Sequence, residues 1–540
     1  MSAVNARLSK LRGLLHEGPT RWTLICDLLV SWPAHDGLDV ALEYAELHAQ
    51  RWPADVRKAP ARWWHELGLG RVTPAWSLIR ALKLPLSGVS VHEGLERLPL
   101  LADVARFQRA AIHGWVELTG EEWETFTRSP TFERLERLEL VRVHTPHALV
   151  GSPALTTLTH LTLSDCGVGP DLGRGLLQST MGPLQALDLS QNRTLSGAWV
   201  AEALAPCDRL AGLRELSLES VRVGSRGLAA LAQSPHLERL ERLNLRSCGV
   251  TDDAAAGRGV TRSLSGVEAL AASPLLTHVM DLDLAENDLG EGGAVALARG
   301  GGLARLERLN LRRNGVTAEG MKALARSPLL ARIKQLDLRG NHVGPEGAEA
   351  LASLPEATLE ELDLSFNEIE DRGVAALAES PAMTRLVRLY LYRNHLLEAG
   401  ARALARSSRL ANLEVLQLGF NAVGDGGAAA LARSETLGRL ISLGLAQNQI
   451  GTPGAMALAA TPLTQRLEKL DVHQNRIGPD GLKALADALK ARPELTHTLP
   501  QPQLTWEEEE APRWEGEEPV EDEQRAEMLR GLLQRLIGEE

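Results

Sequence analysis

The sequence predicts an α/β solenoid: a curved horseshoe with a parallel β-sheet on its concave face and helices on its convex face. Three observations support this fold class. A leucine-patterned segment of nine residues recurs along the chain, its spacing is nearly constant, and many copies are followed by a glycine and an Ala/Leu-rich amphipathic stretch. No such unit can bury its own apolar side, so neighbouring units are expected to stack, with the wider helices on the outside of the curve.

The recurring segment has the pattern LxxLxLxxN. Its final asparagines are Asn192, Asn287, Asn314, Asn341, Asn367, Asn394, Asn421, Asn448 and Asn475. From Asn287 onward the spacings are 27, 27, 26, 27, 27, 27 and 27 residues. Upstream copies keep the leucines but end at Val143, Cys166, Val221 and Cys248, and two degenerate copies end at Ser87 and Trp115. The sequence therefore contains about 15 repeats, of which the first two are degenerate.

Each part of the pattern has a physical reason. The alternation in LxL is the period of a β-strand, with the leucines in the core and the intervening residues facing outward. The asparagine side chain is expected to satisfy backbone groups in the turn after the strand, so that the nine asparagines form a structural ladder. Cysteine can occupy the same position, whereas Val143, Val221 and Trp115 cannot hydrogen-bond there. The first half of the ladder should therefore be less regular.

The pattern resembles the leucine-rich repeat, and a period of about 27 residues with a full helix per unit resembles its ribonuclease-inhibitor-like subclass. The resemblance covers roughly residues 79–490. It implies a leucine-rich-repeat solenoid that binds a protein partner on its concave face. The excess of arginine over lysine, with abundant Ala, Leu and Gly, suggests a GC-rich bacterial genome.

The chain divides into three predicted regions. Residues 1–76 lack the repeat, and their apolar spacing predicts a helical N-terminal cap. Six tryptophans of this region either pack the cap onto the first repeat, which is the favoured interpretation, or form a binding surface. Residues 77–497 form the array, with an insertion near 251–264 that predicts an exposed loop or a lengthened helix. Residues 498–540 are predicted to be an acidic linker followed by a C-terminal amphipathic helix.

Charge and hydropathy exclude several classes of partner. The formal net charge is −12, and residues 501–540 carry −9 of it, with 13 acidic and 4 basic side chains. A nearly neutral body with an acidic tail argues against a nucleic-acid partner, which needs a basic face. No stretch approaches the ~18 apolar residues of a membrane span, and no secretory leader is evident. We therefore expect no membrane association and a cytoplasmic location.

The sequence contains no GxxxxGK[ST], HExxH, GxSxG or CxxC motif, so we expect no enzymatic activity, no catalytic residue and no cofactor. Asp283, Asp337 and Asp363 would lie on nearby strands, with Asn310 among them, and hard cations bind such oxygens. LDL is, however, a common form of the repeat strand, so no metal site is predicted. The alternative function is GTPase activation, because activators of the nuclear-transport GTPase are similar arrays with an acidic tail.

Aromatic residues concentrate in one part of the array. The chain has only three tyrosines and five phenylalanines, yet "LVRLYLYRN" contains two tyrosines. The repeat register places Arg388 and both tyrosines on the concave face, and a phenylalanine precedes the ladder asparagine in each adjacent repeat. The candidate partner-binding residues are Phe366, Arg388, Tyr390, Tyr392, Arg393 and Phe420. The tyrosines are expected to be exposed, whereas the phenylalanines either join them or pack against the loop above. The partner's identity and the oligomeric state do not follow from the sequence.

Overall fold

A computed structural model describes residues 3–33, 36–54, 56–84, 95–101, 107–116, 118–144, 149–253, 261–262, 264–274, 276–355, 358–490 and 496–498. The predicted linker and amphipathic helix of residues 498–540 lie outside these ranges, apart from Thr498. The structure of the rest is a leucine-rich-repeat solenoid, in which strands alternate with helices and pair in one open parallel sheet. The predicted fold class is confirmed.

Strands recur once per repeat. Their bounds are β1 Ala81–Leu84, β2 Arg109–Val116, β3 Arg137–Val143, β4 His160–Ser164, β5 Ala186–Asp188, β6 Glu215–Ser217, β7 Arg242–Asn244, β8 Asp252–Asp253, β9 Thr261–Arg262, β10 Asp281–Asp283, β11 Arg308–Asn310, β12 Gln335–Asp337, β13 Glu361–Asp363, β14 Arg388–Tyr390, β15 Val415–Gln417, β16 Ser442–Gly444, β17 Lys469–Asp471 and β18 Thr496–Thr498. Sixteen of them pair in chain order in the parallel sheet, and β8 and β9 form a separate antiparallel pair.

Among the described residues, four helices precede the first strand, and further helices fill the second half of each regular unit. Their bounds are α1 Ala3–Glu17, α2 Trp22–Val30, α3 Leu38–Ala49, α4 Ala61–Gly68, α5 Gly120–Arg128, α6 Pro170–Gln178, α7 Gly197–Trp199, α8 Gly224–Ala232, α9 Ser265–Ala272, α10 Gly290–Arg299, α11 Ala318–Arg326, α12 Gly344–Ala352, α13 Glu370–Glu379, α14 Glu398–Arg406, α15 Gly424–Ala432, α16 Thr452–Ala459, α17 Leu463–Arg466 and α18 Pro479–Lys490. Earlier units also contain 3₁₀ turns, as at Pro130–Phe132 and Pro153–Leu155, and a π turn at Val200–Leu204.

The described ends of the insertion form a strand pair that was not predicted, while the expected loop or helix lies in residues 254–260 and stays a prediction. These ends pair as β8 and β9, with Asp252 opposite Arg262. Residues 254–260 between them lie outside the described ranges. β10 consequently pairs directly with β7, so the insertion leaves the order of the parallel sheet unbroken. The last strand, β18, was not predicted, because its sequence lacks the leucine pattern.

Tight packing between successive helices explains the glycine that opens many helical segments. A Cβ atom on Gly427 would lie 2.9 Å from the Ala401 Cβ of the preceding unit's helix, closer than packed carbon atoms approach. The serines that end the helices also connect units. Ser380, for example, stops α13 before Pro381, and its hydroxyl donates to the Ala352 carbonyl of the preceding unit at 2.6 Å.

Four tryptophans of the N-terminal segment are buried. The exposed fraction is only 1–5% for each of Trp22, Trp32, Trp63 and Trp76. These four side chains therefore pack in the core and do not form a binding surface. Trp76 also touches Phe107 of the second repeat, with ring centroids 6.1 Å apart. Buried Arg57 connects the helical segment to the start of the array, because its guanidinium pairs with Glu46 of α3 and donates to the Leu78 carbonyl at 2.9 Å. The helical segment and the first repeats therefore share one continuous apolar core.

Candidate functional site

Each short strand presents two residues to the sheet face, which we define as the surface formed by the residues flanking the central leucine of each strand. In β14 the central Leu389 is 1% exposed, whereas Arg388 and Tyr390 are half-buried. With the residue two positions after each strand, three rows of side chains cross this face, represented by Arg388 and Tyr390 of β14 and by Tyr392 just beyond it. A fourth position, the turn position, is the residue just before the ladder asparagine and is Arg393 here. Residues in one row are spaced by the strand separation of about 4.8 Å.

The ladder asparagines hold the turns from which these rows emerge. Asn394 is fully buried. Its Oδ1 accepts from the backbone N–H groups of Asn367 and Ile369 at 3.1 and 3.2 Å, and its Nδ2 donates to the Leu364 carbonyl at 2.9 Å. Asn192, Asn287, Asn314, Asn341, Asn367, Asn421, Asn448 and Asn475 are likewise buried and donate to backbone carbonyls. The turn geometry is therefore fixed by side chains in the core.

In the upstream repeats other residues occupy the ladder position. The Cys166 and Cys248 thiols donate to the carbonyls of Leu140 and Leu218 at 3.2 and 2.9 Å, which imitates one asparagine bond. Val143 and Val221 are buried and contribute no side-chain donor. The side chain of Trp115 lies outside the described set.

The turn position has a left-handed backbone in every repeat from Arg142 to Gln474. Phe366, Arg393 and Phe420 have φ angles of 60°, 51° and 58°, and Gln191 and Gln474 share this conformation at 65° and 53°. A left-handed backbone costs a residue with a Cβ atom roughly 1–2 kcal/mol. In the β12 unit the position is a glycine, Gly340, with φ 69°, which avoids that cost. A phenylalanine at this position is therefore not required by the turn.

The two phenylalanines and one tyrosine form a continuous stack. The Tyr392 ring lies between them, with centroids 5.5 Å from Phe366 and 4.6 Å from Phe420. All three rings are half-buried. Gly419 makes the arrangement possible, because a Cβ atom there would lie 2.5 Å from the Tyr392 ring. The stack thus spans three neighbouring repeats on the loop side of the sheet face.

Arginines cover this stack. The Arg393 guanidinium lies 4.6 Å from the Phe420 ring centroid and 5.5 Å from that of Phe366, and the Arg339 guanidinium lies 5.1 Å from Phe366. We call these five residues, Arg339, Phe366, Tyr392, Arg393 and Phe420, the aromatic–arginine cluster. Phe366, Arg393 and Phe420 also line an open depression of about 640 Å³. Arg339 was missed from the sequence, although the repeat register places it in the same row as Tyr392, two strands earlier.

The structure brings together four of the six predicted partner-binding residues and separates the other two. Arg388 lies in the first row and pairs with Glu361 at 3.0 Å. Tyr390 lies in the second row, beside Asp363 of the adjacent strand. Both predicted tyrosines are half-buried rather than fully exposed, and burial raises the pKa of each hydroxyl. The aromatic–arginine cluster therefore contains four of the six predicted residues and adds Arg339, and partner binding by all six stays a prediction.

The second row is acidic next to Tyr390. Asp283, Asp337 and Asp363 form it with Asn310, and each side-chain oxygen accepts from the backbone N–H two residues later, as Asp337 does from Arg339 at 2.8 Å. This local bond gives the recurring LDL a structural role. Burial, and then the neighbouring Asp363 carboxylate, raise the pKa of Asp337 from 3.8 to about 6. Burial likewise raises the pKa of Asp283 and Asp363.

Within the described ranges no group of His, Cys, Asp or Glu is arranged to hold a metal ion. Burial raises the pKa of the Cys26 and Cys248 thiols to about 12, so neither is poised as a nucleophile. Among the described helices, none is long and apolar enough to cross a membrane.

The fold and the asparagine ladder define the class: this chain contains leucine-rich repeats. Eight segments match the sequence model of the leucine-rich repeat, at residues 154–171, 276–298, 305–325, 333–352, 357–378, 409–432, 440–459 and 465–486. The crystal structure of an internalin from Listeria monocytogenes is similar at 16% identity and a TM-score of 0.33, covering 81% of this chain and 93% of that one. No curated protein sequence matches the chain.

Proposed function

We propose that this protein is a non-enzymatic interaction scaffold that binds a partner protein on its sheet face, which is the concave face expected of the fold. The carrying observation is the aromatic–arginine cluster, a ring stack across three repeats covered by two guanidinium groups. Tyrosine and arginine are enriched among the residues that dominate binding energies at protein interfaces. The cluster is accordingly the anchor of the proposed interface.

Folding alone does not account for the composition of the cluster. At the turn position other repeats carry Gln191, Glu286, Gln447 or Gln474, with the same left-handed backbone. The phenylalanines therefore occupy a strained position that a polar residue fills elsewhere in the array. Their rings remain partly exposed beside an open depression. Aromatic residues placed this way offer a partner a preformed, rigid apolar contact.

The remaining features of the proposal come from the sequence. They are a cytoplasmic location, a bacterial source and the ribonuclease-inhibitor-like subclass. Support for the subclass comes from the helices of 8–12 residues in the regular units, from α10 to α16 and in α18. The absence of enzymatic activity is part of the same proposal and rests on the missing catalytic motifs.

The two tyrosines provide the test, because they lie two residues apart in different rows. Affinity purification with mass spectrometry identifies a partner, and calorimetry with the purified pair then measures its affinity. Tyr392→Ala should weaken binding by about 2 kcal/mol or more, as expected of a hot-spot residue. Tyr390→Ala should weaken binding less, because the Tyr390 ring makes no ring contact with the cluster among the described residues. Equal affinities for the Tyr392→Ala and unmodified chains would refute the proposed anchor.

A further inference from the structure

The inference that follows rests on the proposed function and concerns the chemistry of the partner segment. The third row and the turn position are rich in arginine on the strands that precede the aromatic stack. Near β7 and β10 these charges are paired: Glu286 lies 2.8 Å from Arg246 and 3.9 Å from Arg313. Within the described part of the chain, Arg312, Arg339 and Arg393 have no carboxylate within ion-pair distance. Positive charge without an ion-pair partner therefore lies beside the rings, and the Asp337 and Asp363 carboxylates of the second row attract Arg312 and Arg339 from farther away.

Arg312 shows the effect of this concentration of charge. Burial, followed by the guanidinium groups of Arg339, Arg313 and Arg246, lowers its pKa. Its Nε is buried with no hydrogen-bond partner among the described residues. Like charges held this close repel one another, so the surface gains stability when an anion approaches. The cluster is thus electrostatically prepared for a negative group.

The geometry specifies what kind of negative group fits. A guanidinium stacked on a ring, as Arg393 is on Phe420, keeps its N–H donors at the rim of the stack. A carboxylate can accept two of these donors at once. Next to them the exposed parts of Phe366 and Tyr392 offer an apolar contact for an aromatic or large aliphatic side chain. An acidic residue adjacent to such a side chain satisfies both parts of the surface.

The acidic second row sets the orientation. Asp337 is the last residue of β12 and lies two residues before Arg339, so a negative and a positive side chain lie in neighbouring rows at this strand, and Asp363 continues the negative row on β13. A polyanion spread across the sheet face would meet Asp283, Asp337 and Asp363 and be repelled. Acidic side chains confined to the loop edge avoid these carboxylates. This favours a short peptide segment over a nucleic acid, whose phosphates extend over a longer track.

We propose that the aromatic–arginine cluster, together with Arg312, binds an acidic peptide segment of the partner, with Asp or Glu next to an aromatic or large aliphatic residue. The carboxylates lie over Arg312, Arg339 and Arg393, and the apolar side chain lies against the Phe366–Tyr392–Phe420 stack. The ring stack and the arginines together give specificity for this acidic segment. Neither of them alone would distinguish the segment from other apolar or anionic ligands.

Fluorescence anisotropy with the full chain tests this directly. The probe is a fluorescein-labelled peptide with four glutamates around one tryptophan, and the comparison peptides replace the glutamates with lysine or the tryptophan with glycine. The glutamate–tryptophan peptide should bind most tightly, and its affinity should fall as salt screens the charges. The double variant Arg339→Gln/Arg393→Gln should weaken it by about tenfold or more. Arg406→Gln, an exposed arginine on the helix layer of the same repeat, is the matched control and should leave the affinity unchanged.

Three results would overturn the inference: stronger binding of the lysine peptide, equal binding by the double variant and the unmodified chain, or tighter binding of a single-stranded oligonucleotide through the same arginines. The proposed function fails separately. If Tyr392→Ala leaves the affinity for the purified partner unchanged while the acidic peptide still binds through the arginines, the anchor is wrong and the peptide site stands. If the peptide fails but Tyr392→Ala abolishes partner binding, the anchor stands with another ligand chemistry.

Discussion

Replacing Asp337 with asparagine should stabilise the array at neutral pH. The aspartate is mostly buried, and its Oδ1 accepts from the Arg339 backbone N–H at 2.8 Å. Asparagine retains that acceptor, and Asn310 already occupies the same row on the adjacent strand, where its Oδ1 accepts from the Arg312 N–H at 3.0 Å. The substitution therefore removes a buried negative charge without removing the local hydrogen bond.

The magnitude follows from the pKa. Burial and the Asp363 carboxylate raise the pKa of Asp337 from 3.8 to about 6 in the folded chain. Between these values the folded state binds more protons than the unfolded state, so stability falls as pH rises through this window. Well above pH 6 the loss is complete and amounts to at most about 3 kcal/mol, since one pKa unit corresponds to about 1.4 kcal/mol. Asp337→Asn should recover about 1–3 kcal/mol at about pH 7.5 and almost nothing near pH 4.

Urea unfolding followed by circular dichroism at both pH values measures this difference. The reverse variant, Asn310→Asp, is the matched control. It adds a carboxylate between Asp283 and Asp337 and removes the Asn310 Nδ2 donor to Asp283, which lies 2.9 Å away. It should therefore destabilise the array, more strongly at high pH than at low pH. If Asp337→Asn does not stabilise the chain at about pH 7.5, or stabilises it equally at both pH values, then burial does not raise the pKa of the Asp337 carboxyl.

Four further predictions concern the ladder, the thiols, the N-terminal helices and enzymatic activity. Asn394→Ala should lower the free energy of unfolding by about 2–4 kcal/mol, because several buried backbone groups lose their partner. Asn412→Ala removes one hydrogen bond, to the Thr384 carbonyl, and should lower it less in the same urea titration. Native-state alkylation should modify Cys207 before the buried Cys26 and Cys248, as peptide mass spectrometry would show, and faster loss of either buried thiol would contradict their packing. Glu46→Ala leaves the buried Arg57 guanidinium without its carboxylate and should lower the thermal midpoint, while Glu17→Ala, an exposed pair, should not. The chain should not accelerate GTP hydrolysis by a panel of small GTPases, and turnover there would favour the GTPase-activating alternative.

The repeat pattern predicted the strands for two reasons. The period of 27 residues specifies where each strand lies in the chain, and the LxL alternation specifies which side chains point into the core. Leu389 and Leu391 are buried and Tyr390 lies on the sheet face, as that period requires. The ladder asparagines were predictable for the same reason, since one polar residue at a fixed place after a buried strand must satisfy backbone groups. The sequence of a single repeat is enough to predict these features, because every repeat must bury the same leucines and satisfy the same backbone groups.

The candidate site was predicted less completely because it depends on contacts between repeats. The proximity of Phe366, Arg393 and Phe420 follows from register, but Arg339 reaches the stack through its side-chain conformation, which spacing does not reveal. Arg388 faces the right way yet is neutralised by Glu361 on the neighbouring strand. The aspartates of the second row suggested a cation site, whereas their oxygens are used by their own backbone. Pairing between charges decides which exposed residues remain available to a partner.

β18 and the antiparallel β8–β9 pair were not predicted for a different reason. Thr496–Thr498 contains no leucine, so its pairing with β17 rests on backbone hydrogen bonds at the end of the sheet rather than on an apolar pattern. The two-residue strands of the insertion are too short to leave a period in the sequence. Both are cases in which tertiary context determines structure without a local pattern.

The most direct test of the proposed interface removes the phenylalanine rings without straining the backbone. Phe366→Gly/Phe420→Gly places glycine at two left-handed positions where it is favoured, and Gln191→Gly/Gln474→Gly makes the same change at matched positions away from the stack. Calorimetry should show that the first pair weakens partner binding by about 2 kcal/mol or more and that the second pair does not. Equal affinities for the two double variants, with both folded by circular dichroism, would contradict the central claim that the aromatic–arginine cluster anchors the partner.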